Sequence, residues 1–167
     1  MKNRTKRLAV LSILTALALI LSFVESQLPP IYPAVPGIKV GLPNIVIIFS
    51  LYRLSPLDTI SISLIRVLAV SLLFGNAMML AYSISGAILS FLVMLILKNI
   101  NKFSCVGVSV VGAVAHNLGQ IGMAILLLDT LQIGYYMIVL CITGTIAGIL
   151  VGLTAAILIK RTKNIKF

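Results

Sequence analysis

Three hydrogen-bonding side chains, His116, Asn117 and Gln120, fall within five residues in the stretch "GAVAHNLGQIG", Gly112 to Gly122. His116 is the only histidine of the chain. On a helix, His116 and Gln120 at i and i+4 share a face, and Asn117 points about 100° away. That pattern suits polar contacts to a neighbouring helix or to a ligand in a polar cavity. It does not suit nucleophilic catalysis. Ser109 lies seven residues before His116, about 10 Å along a helix axis, and "GVSVVG" is not the GxSxG turn of a nucleophilic serine. One histidine and two cysteines, Cys105 and Cys141, without a CxxC spacing give no metal site and no expected disulfide. Paired aspartates for intramembrane proteolysis, nucleotide-binding loops and dinucleotide fingerprints are all missing. The reading is a protein that is not an enzyme, with no cofactor and no metal.

Arg66 is the second chemical signal, about nine residues into the apolar run "LDTISISLIRVLAVSLLF". A cation in the middle of an apolar helix needs a partner or a task. The chain has three acidic residues, and Glu25, Asp58 and Asp129 all fall at the ends of apolar runs. None is expected at the depth of Arg66, which leaves backbone carbonyls, Asn44, His116 or a bound anion. The candidate ligand-binding set is Lys39, Asn44, Arg66, Tyr82, His116, Asn117 and Gln120. Lys39 and Arg66 would attract an anionic or carbonyl-rich ligand, the amides and His116 would hydrogen-bond it, and Tyr82, Tyr135 or Tyr136 would stack on a ring.

The elements that must position these residues follow from composition. The chain has 167 residues, 60% apolar and 10% charged, with a mean hydropathy of +1.20. No soluble domain covers its surface with so few polar groups. Continuous apolar runs approaching the ~18–20 residues that cross a bilayer, rather than alternating ones, indicate an all-α integral membrane protein. Six spans are expected, at about 8–24, 40–51, 57–74, 77–97, 105–128 and 135–159, in a single membrane domain. The amino-terminal run resembles a signal peptide but lacks a convincing cleavage site, so it is read as the first span.

The net charge of +10 would point to nucleic acid in a soluble protein. Here the basic residues flank the apolar runs, so topology accounts for them and no nucleic-acid partner is expected. Lys2, Arg4, Lys6, Arg7, Arg53, Lys98, Lys102, Lys160, Arg161, Lys163 and Lys166 all fall on one side, against Lys39 on the other. The positive-inside rule then places both termini in the cytoplasm. The loop 25–39 faces outward. "ESQLPPIYPAVPGIKVGLPN", Glu25 to Asn44, holds five of the six prolines and is read as an ordered, non-helical element dipping into the outer half of the bundle.

Small residues recur at close-packing spacing. Gly144, Gly148, Gly152 and Ala156 form one stripe in span six. Gly112, Ala115, Gly119 and Gly122 form another in span five, and Ser83, Gly86, Ala87 and Ser90 a third in span four. These are expected to pack within the bundle. Span one, with Ser12 and Ala16 and with Ala18 and Ser22, is the candidate for contacting another membrane protein.

The blocks "PGIKVGLPNIVIIFSLYRLSPLDTISISLIRVLAVSLLFGN", "YSISGAILSFLVMLILK" and "GVSVVGAVAHNLGQI" resemble the Gx transporter family, also labelled heptaprenyl diphosphate synthase component I. The resemblance covers nearly the whole chain, with Pro43 standing where a small residue is usual. That family is similar to the substrate-binding S components of energy-coupling factor (ECF) transporters. The resemblance implies a six-helix bundle with a vitamin- or cofactor-type ligand in its outer half, capped by the loop between spans one and two. It also implies an ECF coupling subunit with two ATPases as partners, contacted through Ser12, Ala16, Ala18 and Ser22. The synthase label does not fit chain-elongating chemistry, because the aspartate-rich DDxxD motifs that hold magnesium and diphosphate are missing. Relatives are also associated with flavin-based extracellular electron transfer and quinone biosynthesis. The alternative reading is therefore a non-catalytic membrane subunit of such an assembly, with redox or prenyl-quinone pathway proteins as partners.

Overall fold

The computed structural model describes residues 2–27 and 41–165. They form six α-helices: α1 (Lys2–Gln27), α2 (Asn44–Arg53), α3 (Pro56–Phe74), α4 (Ala77–Ile100), α5 (Cys105–Leu128) and α6 (Tyr136–Arg161). A 3-10 turn at Leu131–Tyr135 leads into α6, and no strand occurs among the described residues. Five of these helices are long and apolar enough to cross a membrane, so the protein is a multi-pass helical membrane protein. The second span differs from the sequence reading. α2 has only 10 residues and begins at Asn44, which gives it a length of about 15 Å. The preceding Gly41 takes a left-handed backbone (φ +78°), and this keeps the helix from starting earlier.

The helix boundaries have local causes. Ser55 caps α3, its Oγ accepting from the Asp58 amide at 3.2 Å, and Pro56 supplies the fixed φ of a first helical residue. Asn76 caps α4 by accepting from the Met79 amide at 2.8 Å, and Ser104 caps α5 by accepting from the Gly107 amide at 3.1 Å. α4 and α5 end on Asn101 and Asp129, both in the left-handed region that these side chains tolerate.

α2 is the hub of the bundle. It touches α1, α3 and α6, and Val46 to Leu51 are all buried. Its apolar side chains join one cluster with Ala18 of α1, Ile62 of α3, Phe91 and Met94 of α4, Val108 of α5, and Val151 and Ala155 of α6. A helix that is apolar on every side belongs in such a place.

Around it, glycine lets backbones approach. α5 lies between α4 and α6. On the α6 side, a Cβ at Gly148 would lie 2.7 Å from the Cα of Val110, and one at Gly152 would lie 2.8 Å from the Cα of Val106. On the α4 side, Gly119 closes to 2.9 Å on Gly86 by the same measure. Ser85 and Ser90 donate across this seam to the carbonyls of Gly119 and Gly112, both at 2.8 Å. The expected stripes therefore pack inside the bundle, with one correction. Gly122 faces open space, so the α5 seam ends at Gly119.

Charged groups tie one end of the bundle together. Arg7 of α1 donates to Asp58 of α3 at 2.6 Å, and Ser55 donates to the same carboxylate at 2.8 Å. Lys98 donates to the Leu51 carbonyl at 2.6 Å, and Arg53 donates to the carbonyls of Thr162 and Ile165. Cations thus meet the carbonyl-rich ends of α2 and α6. At the opposite end, the rings of Phe23 of α1 and Phe74 of α3 meet at a 45° tilt with centroids 5.5 Å apart.

Candidate functional site

Arg66 lies beside the buried stripe of α3 and is itself half-buried. It follows Ile62 and Ser63 by one helical turn, and both are buried. Its Nε is closed off from solvent and has no hydrogen-bond partner among the described residues. α2 and α3 run antiparallel from the turn at Leu54 and Ser55. Asn44 and Arg66 are a similar number of residues from that turn, so the amino end of α2 lies at about the depth of Arg66. No acidic residue occupies the first turn of α2, and no side chain caps it. Its own amides from Asn44 to Val46 are satisfied by the carbonyls of Gly41, Leu42 and Pro43.

Glu25, in the last turn of α1, completes this site. Its Oε1 accepts from the backbone N–H of Gly41 and from that of Leu42 at 3.2 Å. The same carboxylate is within electrostatic reach of Arg66. The sequence reading placed Glu25 at the outer surface and made none of the acids an obvious partner of Arg66. Glu25 is half-buried at the end of α1 and acts on Arg66 at a distance, without a close ion pair. The missed signal was modest: Glu25 is the sole acid at the carboxyl end of the first helix, and its sequence position alone does not reveal that Gly41 and Leu42 lie within its reach.

The α5 residues sit on two other walls. His116 and Gln120 share the face toward α4, where they fill the space a side chain at Gly86 would take. A Cβ there would lie 2.8 Å from the His116 carbonyl, 3.0 Å from its ring and 2.9 Å from Gln120 Cγ. Asn117 points the other way and donates to the Leu140 carbonyl of α6 at 2.6 Å. Gly144 makes room for it, since a Cβ there would lie 2.5 Å from its amide nitrogen. The i, i+4 face argument is thus met, and Asn117 is engaged in holding α5 to α6. α3 packs on α1, α2 and α4, and α5 packs on α4 and α6. α4 therefore neighbours both the Arg66 wall and the His116 wall.

The remaining candidates separate. Tyr82 is half-buried on α4, toward the loop end. Lys39 lies outside the described residues. Tyr135 is 81% exposed and Tyr136 45% exposed, and with Thr130, Gln132 and Ile133 they line an open cleft at the α5–α6 connection. They are surface residues of that connection and do not face the core. On α1, Ser12 and Ala16 are exposed, whereas Ala18 is fully buried and Ser22 nearly so. The two pairs therefore lie on different faces, and only Ser12 with Ala16 is turned outward. Ser22 donates to the Ala18 carbonyl at 2.8 Å inside the bundle.

No curated protein and no solved structure matches the chain. A family model described as heptaprenyl diphosphate synthase component I matches residues 14–158, from the second half of the α1 core to the last turn of α6. With most of its length matched, the chain belongs to the heptaprenyl diphosphate synthase component I family, a Gx transporter-like family.

Proposed function

We propose that this protein is a binding and transport component of the S type, which captures a small anionic ligand in the outer half of the bundle and hands it across with an energy-coupling partner. The observation that carries this reading is Arg66, a cation inside an apolar bundle whose buried Nε has no hydrogen-bond partner among the described residues and lies at about the depth of the α2 amino end. A guanidinium with a buried, unpartnered Nε in an apolar bundle is suited to carboxylate or phosphate. In this reading Asn44 and Arg66 hold the anionic end of the ligand. His116, Gln120 and Tyr82 contact its body, and Lys39 draws it in from outside. Asn117 acts through the α5–α6 contact. Both termini are cytoplasmic, and the outward face of α1 with Ser12 and Ala16 meets an ECF coupling subunit and its ATPases. The protein itself supplies no catalytic group.

The test is thermal unfolding of the purified protein against flavins, vitamins, quinone precursors and isoprenoid diphosphates. A ligand at a hundred times its Kd stabilises the folded state by about 2.7 kcal/mol, an upward shift of several degrees. Arg66→Gln is expected to remove that shift. A panel in which nothing stabilises the wild type removes the reading.

The family description favours a second reading, because "component I" names one part of an assembly. Here the chain is a non-catalytic membrane subunit of a prenyl-quinone or flavin electron-transfer complex. Stable co-purification with a prenyltransferase or redox protein, in place of ECF ATPases, would decide for it.

A further inference from the structure

Glu25 occupies an unusual position for the only acid near Arg66. Its carboxylate accepts two consecutive backbone N–H groups, those of Gly41 and Leu42, just ahead of the α2 amino end. Two neighbouring amides converging on one oxygen form a receptor for an oxyanion. The left-handed Gly41 is part of this receptor, and a Cβ there would press on the Asn44 amide at 3.2 Å. Arg66 adds the charge. Its Nε is buried and unpartnered among the described residues, although the Glu25 carboxylate is within electrostatic reach. Glu25 and Arg66 are not joined as a close ion pair. The one close acid–base pair among the described residues is Arg7 with Asp58. A carboxylate held on the amides but not in contact with the guanidinium leaves the Arg66 donors for another oxyanion.

We propose that Glu25 is an internal stand-in for the ligand. Its carboxylate fills the Gly41–Leu42 amide receptor while the site is empty, and a ligand carboxylate or phosphate displaces it to reach both the amides and Arg66. This rests on the reading of Arg66 as the anion-binding residue and adds what that reading lacks, a competitor built into the chain. Two effects follow from the charge balance. The stand-in compensates Arg66 in the empty protein, and it sets a threshold of affinity that weak anions in the surroundings do not pass.

The experiment uses the full chain in lipid nanodiscs and three probes, inorganic phosphate, inorganic pyrophosphate and succinate, with binding followed by calorimetry. Wild type, Glu25→Ala, Glu25→Gln and Arg66→Gln are compared. Glu25→Ala empties the receptor and is expected to bind at least one probe at least tenfold more tightly than wild type. Glu25→Gln keeps the size and the accepting oxygen but loses the charge, so it is expected to fall between the two, at least threefold tighter than wild type. It decides the matter if Glu25→Ala does not fold. Arg66→Gln is expected to lose binding. Phosphate and pyrophosphate binding without succinate binding identifies a phosphate-bearing ligand, and the reverse identifies a carboxylate, both within the proposal. Equal affinity in wild type and both Glu25 variants, with binding still lost in Arg66→Gln, overturns the stand-in and leaves the anion site intact. Absence of binding in every variant overturns both.

Discussion

Arg66 and Asn117 show two ways in which a polar side chain is kept inside an apolar bundle. Asn117 has a short bond to a carbonyl on the next helix, so its contribution is structural. Such interhelical bonds are worth about 0.6 kcal/mol on average and at most about 1.7. Asn117→Ala should therefore lower unfolding stability in detergent by roughly that amount and leave ligand binding through Arg66 unchanged. Gly41→Ala makes a sharper test of the receptor. Forcing a side chain into the left-handed region costs about 1–2 kcal/mol, and this strain falls on the amide that Glu25 accepts from. The expected result is lower stability together with altered anion affinity, read by thermal unfolding and by titration with pyrophosphate. An equally stable Gly41→Ala protein would show that the backbone there is free to move. Sequence made His116, Asn117, Gln120 and Arg66 visible because each polar group stands out in an apolar run. It did not make Glu25 visible beside Arg66, since the two are forty-one residues apart and only the packing of α1 on α3 brings that carboxylate within reach.

Among the elements, the glycine stripes allow paired predictions. Gly148→Leu places a side chain where Val110 Cα already lies at 2.7 Å from the first carbon. It should push α5 and α6 apart at a cost of about 1–3 kcal/mol, seen as a lower unfolding midpoint. Gly122→Ala meets nothing within 4 Å and should be neutral or gain roughly 0.5–1 kcal/mol from helix propensity. If both changes proved equally harmful, the assignment of Gly148 to a close contact would be wrong. The repeat of small residues every four positions made the packing face of α6 legible in advance. Gly122 fitted the α5 pattern by spacing alone, and only the position of the neighbouring helices reveals that no backbone lies opposite. α2 was misjudged in its limits for a different reason. Its apolar run continues upstream, but Gly41 and Pro43 turn the chain before a helix can begin, so hydropathy overstated its length.

For the molecule as a whole, hydropathy and the placement of lysine and arginine made the helical membrane class plain. The hub role of α2 was less accessible, because burial on all sides depends on which helices surround it. The proposed orientation is testable directly. Single cysteines introduced at Lys2 and Lys163, in a background with Cys105 and Cys141 replaced, should react with a membrane-impermeant thiol reagent only after the cells are opened. A cysteine at Asn76, between α3 and α4, should react in intact cells. The charged end also predicts cooperation between helices distant in sequence. Asp58→Asn weakens the attachment of α1 to α3, and faster amide exchange in the first turns of α1 is the expected sign. α1 is the least buried of the five long helices, so it should loosen before the α4–α5–α6 layer does.

One relation between α1 and α3 has a consequence for the lineage of this chain. Arg7 meets Asp58 at one end and Phe23 meets Phe74 at the other, and the two contacts are sixteen residues apart on both helices. The helices run parallel, so they act as two rulers with the same graduations. Inserting one residue into either ruler between these marks would shift one contact by about 1.5 Å and turn it by about 100°. Lengths in this interval are therefore inherited as a pair. A homologue that gained or lost a residue in one helix, while keeping both contacts, should carry the matching change in the other.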